Sequence, residues 1–101
     1  MPSAAELQAL HERLARALQG RDWAAFGVID GAIRAALQRL DGVPPSAELN
    51  AARQGLKRLH GEALRACANE CERLRKLLLA HLQYAEGSAA YRQVNDWQES
   101  R

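Results

Sequence analysis

Threonine is absent from the 101 residues, and valine and isoleucine together number five. Strands draw on β-branched and aromatic side chains, so this shortage excludes an all-β fold and leaves little room for a βαβ nucleotide fold. Aromatic residues also number only five, so a core must be aliphatic. Cysteine is limited to Cys67 and Cys71, four positions apart on what reads as a helix. A disulfide at that spacing strains a helix, and two thiols supply half a zinc site, so both read as small apolar helix-face residues. His11, His60 and His81 stand in no HExxH or CxxC context, and no cofactor or metal is expected.

Other signatures are missing as well. There is no Gly-rich phosphate loop, no GxSxG and no nucleophile set beside a base, so the chain reads as non-enzymatic. No window approaches 18 continuous apolar residues, which leaves no membrane span. The N-terminus has neither the basic start nor the apolar run of a signal peptide, and a cytoplasmic location is expected. The formal net charge of +2 is too small an excess for a dedicated nucleic-acid binder.

What is present is alanine (20) and leucine (15), the composition of helices in a single small domain. Ser3-Ala-Ala-Glu6 has the form of a capping box, followed by Leu7, Leu10, Leu14 and Leu18 at spacings of three and four. The spacing predicts a first helix over about 4–19, with Gly20 as its stop. Asp22 caps a second helix, about 23–40, whose stripe is Trp23, Phe26, Ile29, Ile33, Leu37 and Leu40. Gly27 and Gly31 flatten one side of it and suggest a close-packed neighbour. Asp41-Gly42 and Val43-Pro44-Pro45 end it.

Ser46 then caps a third helix, predicted over about 47–86. Its stripe runs Leu49, Ala52, Leu56, Leu59, Ala63, Cys67, Cys71, Leu74, Leu78 and Leu82. Gly87 is the expected stop, and Ser88 the cap of a short fourth helix over about 88–97 that carries Tyr91, Val94 and Trp97. The predicted fold is all-α: an antiparallel bundle of three main helices, the third of them long, with a short C-terminal fourth.

Length makes that prediction functional. The first two helices span about 24–27 Å, and a 40-residue helix about 60 Å. Short connections set the first two beside the start of the third, where they cover it only to about residue 64. Beyond that point Cys67, Cys71, Leu74, Leu78 and Leu82, flanked by Leu77 and Leu79, have no partner within the first two helices. A folded-back tail, a second copy or another protein are the three possible covers. A break near Gly61 that produces a compact four-helix bundle is the alternative.

Arg53, Lys57, Arg58, Arg65, Arg73, Arg75 and Lys76 give the third helix a basic bias. Glu62, Glu70 and Glu72 are interspersed at helical neighbour positions, so a solvated, partly paired face is favoured over docking onto an acidic protein. One enzyme reading stays open. Ile29-Asp30-Gly-Ala-Ile33 resembles the "ID…I" pattern of small all-helical chorismate mutases, in which Arg34 and Arg39 would face a dianionic substrate.

The order of features resembles the FliT-like flagellar type III export chaperones over nearly the whole chain. An amphipathic helix ends in a small residue, and Arg21-Asp22-Trp23 opens a second helix with Phe26, Ile29 and Leu37…Leu40. A Pro-containing break leads to a long helix with Leu56 and Leu59, then Leu77-Leu78-Leu79, Gly87 and Ala90-Tyr91. The resemblance implies a cytoplasmic chaperone for the flagellar filament-cap protein that also contacts the export ATPase complex. In some bacteria such chaperones bind a flagellar transcription regulator. It further implies a partner-binding face on the second half of the third helix, covered when empty by an element containing Tyr91 and Val94. Gly31 and the mere ten residues after Tyr91 depart from the family pattern. A structural homodimer joined through the same stripe is the alternative function.

Overall fold

The computed structural model describes residues 3–99, with side chains to Trp97. It contains three helices, α1 (Ala4–Gln19), α2 (Trp23–Arg39) and α3 (Ala47–Glu99), and no strand among the described residues. The chain divides into two compact units, Met1–Cys67 and Ala68–Arg101.

Local side-chain chemistry starts each helix of the first unit. The Ser3 hydroxyl accepts from the Glu6 amide at 3.3 Å, the Asp22 carboxylate from the Ala25 amide at 3.1 Å, and the Ser46 hydroxyl from the Leu49 amide at 3.1 Å. Each satisfies one of the amides that a helix start leaves without a partner. Only half of the expected capping box forms at Ser3. The Glu6 carboxylate is held by the Arg39 guanidinium at 2.6 Å instead, which ties the first turn of α1 to the last turn of α2.

The turn from α1 to α2 differs from the expected glycine stop. Gly20 has ordinary right-handed geometry, and Arg21 takes the left-handed conformation at φ 51°. The Arg21 amide donates to Leu18 O and the Asp22 amide to Ala17 O, the paired closure of a Schellman motif with arginine where glycine is usual. At the end of α2, Leu40 is the cap and Gly42 supplies the left-handed residue, at φ 83°.

The core consists of Leu7, Leu10, Leu14 and Ala17 from α1, and Phe26, Ile29, Ile33 and Ala36 from α2 with Leu40 just beyond it. Leu56 and Ala63 complete it from α3. Leu18, Trp23, Leu37, Leu49, Ala52 and Leu59 pack against its margin. Most of these positions lie on the stripes read from spacing. Gly27 and Gly31 do not admit a close neighbour as expected, because a Cβ at either would meet nothing within 4 Å.

One expectation about α3 fails: it does not stop at Gly87 to begin a fourth helix. The alternative of a break near Gly61 is not realised either, and the long helix runs through that position as expected. A glycine in a helix costs about 1 kcal/mol relative to alanine, and Ser88-Ala-Ala-Tyr-Arg-Gln93 continues with residues that tolerate or favour helix. No proline follows, so nothing forbids the next turn.

Candidate partner-binding face

Burial along α3 falls away where the length arithmetic placed the limit. Ala63 is its last buried residue, and every position from Ala68 to Trp97 except Glu70 and Ser88 is exposed. Leu74, Leu77, Leu78, Leu79 and Leu82 retain between 44% and 58% of their accessible surface. Cys71 is exposed and Cys67 half-buried, and neither forms a disulfide.

A helix advances about 100° per residue, so Leu74, Leu78 and Leu82 drift slowly around one side. Leu77 stands beside that row. Leu79 lies about 100° beyond Leu78, and the apolar face is therefore broad rather than a narrow seam. This face carries no groove of its own. Tyr91 and Val94, expected to fold over it, belong to the same continuous helix and are 73% and 56% exposed. The correction follows from Gly87: without a turn there, the tail has no route back onto the stripe.

Two intrahelical ion pairs stand at the start of the row. Arg73 donates Nε and Nη2 to Glu70 at 3.0 and 2.6 Å, and Arg75 donates the same pair of nitrogens to Glu72 at 3.0 and 2.8 Å. The hydrogen bond from Arg75 holds the Glu72 carboxyl below its ordinary range. The reciprocal bonds raise the Arg73 and Arg75 guanidinium groups above theirs. These side chains account for part of the basic bias as a paired, solvated surface.

The first unit holds a polar contact that spacing alone did not reveal. His60 Nε2–H donates to Asp30 Oδ1 at 2.5 Å, Arg34 Nε reaches Asp30 Oδ2 at 3.1 Å, and the Phe26 ring stacks on the imidazole with centroids 5.9 Å apart. Asp30 follows Ile29, and His60 follows Leu59, so each is a polar residue beside a stripe position. That shared register was the available signal. The pair of cations suggested by the mutase resemblance does not converge: Arg34 bonds Asp30 beside α3, while Arg39 bonds Glu6 of α1. No cluster of three or more potential metal ligands occurs among the described residues, and none of their helices is long and apolar enough to cross a membrane. No protein-family model, curated protein or solved structure matches the chain.

Proposed function

We propose that the chain is a non-enzymatic cytoplasmic chaperone that holds an amphipathic helical segment of a secreted protein along residues 71–82. The observation that carries this reading is the set of five leucines, Leu74, Leu77, Leu78, Leu79 and Leu82, each about half exposed on one helix. Covering the exposed half of each stabilises a complex by roughly 4–8 kcal/mol, since burying a fully exposed leucine is worth about 1.5–3. Association itself costs on the order of 4–15 kcal/mol, so the net affinity is modest and release is possible. A chaperone that must surrender its client needs that balance.

The sequence resemblance gives the client its class: a flagellar filament-cap protein delivered to the export ATPase complex, with a flagellar transcription regulator as a further partner. In this reading the client helix packs directly onto the leucine face, and no tail has to be displaced first. Within the first unit, the contacts of Glu6 with Arg39 and of Asp30 with His60 support an antiparallel arrangement of α1, α2 and the start of α3.

The test is a Leu74→Glu, Leu78→Glu double variant titrated calorimetrically against the filament-cap protein. Loss of binding with an unchanged urea midpoint for the core supports the reading. Retained affinity overturns it. The same exposed row also favours a second reading, mating with its own copy. A dimer that resists dilution in light scattering, and that the double variant dissociates, selects the structural homodimer.

A further inference from the structure

We propose that the cleft between α2 and the first half of α3 binds a small carboxylic acid with a compact apolar body. The cleft encloses about 160 Å³ over a floor of Ile33, Leu37 and Leu56. An apolar cavity of about 150 Å³ takes a benzene ring, so this one admits a single ring or a short branched chain. A longer chain or a peptide backbone exceeds that space.

The rim gives the ligand its charge. Arg34, Arg53 and Lys57 line the same cleft. Arg34 is partly neutralised by Asp30, and that carboxylate is also engaged by His60. Arg53 and Lys57 have no carboxylate partner among the described residues. They stand four apart on α3, where like charges repel across one helical turn. An anion between them relieves that repulsion and accepts a charge-assisted hydrogen bond from each. His60 lines the cleft, and its contact with Asp30 ties the two helices together there. None of these residues belongs to the leucine face of α3, and the inference is independent of the function proposed for it.

Phenylacetate, with an apolar ring and a carboxylate, is the probe. Titration into the full chain, followed by methyl NMR, is expected to shift Ile33, Leu37 and Leu56 together. Saturation should come at a dissociation constant on the order of 1 mM or tighter. Phenylacetamide, the neutral isostere, should bind at least about tenfold more weakly, as should phenylacetate to the Arg53→Gln, Lys57→Gln double variant. The variant's thermal midpoint should be equal or higher, since a like-charge pair is removed, and this shows that it folds. Equal binding of the amide, unchanged affinity in the folded variant, or no saturable shift at the three methyl-bearing residues overturns the proposal. A short peptide ending in a phenylalanine carboxylate that binds more tightly than phenylacetate overturns the assignment to a free acid.

Discussion

Asp30 and His60, 30 positions apart in the chain, meet at 2.5 Å between Oδ1 and Nε2 and form the polar clasp between α2 and α3. Their side chains are 19% and 23% exposed, so water competes only in part. Asp30→Ala and His60→Ala should each lower the unfolding free energy by about 1–2 kcal/mol in urea titrations, toward the lower part of the range for hydrogen bonds to a charged group. The double variant should cost less than the sum of the two. Strict additivity would mean that the contact contributes nothing of its own.

Arg21 is a natural target for stabilisation. A side chain in the left-handed region costs roughly 1–2 kcal/mol, and the Schellman closure at Leu18 and Ala17 leaves the residue no other conformation. Arg21→Gly should raise the unfolding free energy by up to about 1 kcal/mol, since the flexibility glycine adds to the unfolded chain offsets part of the gain. A fall in the thermal midpoint would indicate that the Arg21 guanidinium bond to Leu18 O, at 3.3 Å, outweighs the backbone strain.

Gly87 distinguishes a continuous helix from a turn. A Cβ there meets nothing within 4 Å, and the backbone has no positive φ. Gly87→Ala should increase helical ellipticity and stabilise that stretch by about 1 kcal/mol. A turn with left-handed backbone at Gly87 would give the opposite sign.

Acid should loosen the helix around Glu72. The native Glu72 carboxyl is depressed by the hydrogen bond from Arg75, relative to an ordinary value of 4.5. A depressed carboxyl contributes stability that is complete above the ordinary value and disappears as pH falls through the native one. Ellipticity should therefore decline below about pH 4.5. Glu72→Gln should show a smaller decline and already sit lower at neutral pH. The raised values of Arg73 and Arg75 act only in strong alkali, far from this window.

Features decided within a few residues were legible in the sequence. Ser3, Asp22 and Ser46 cap helices because a short side-chain oxygen reaches the third amide along whatever else surrounds it. Leu7, Leu14, Ile33 and Leu56 are buried because spacing fixes the face. Ala17 and Ala36 were not singled out, since alanine occurs on both faces of every helix in this chain and only packing separates the two. The end of α3 was misread for a related reason. A glycine weighs about 1 kcal/mol, too little to stop a helix whose following residues all continue it. The contact between Asp30 and His60 depends on the register of two helices, which no single stretch encodes. Of the candidate face, the leucines and their exposure were legible, while its cover by Tyr91 and Val94 rested on the turn that does not form.

The helix beyond Cys67 draws its internal support from neighbours three and four residues away, not from a core. Such a segment loosens turn by turn rather than all at once, and its amides exchange with solvent while those around Leu56 remain protected. Its backbone is then the first that a protease can thread. Anything that lay across the leucines would shield that backbone, so the rate at which these residues are cut would report how often the face is covered.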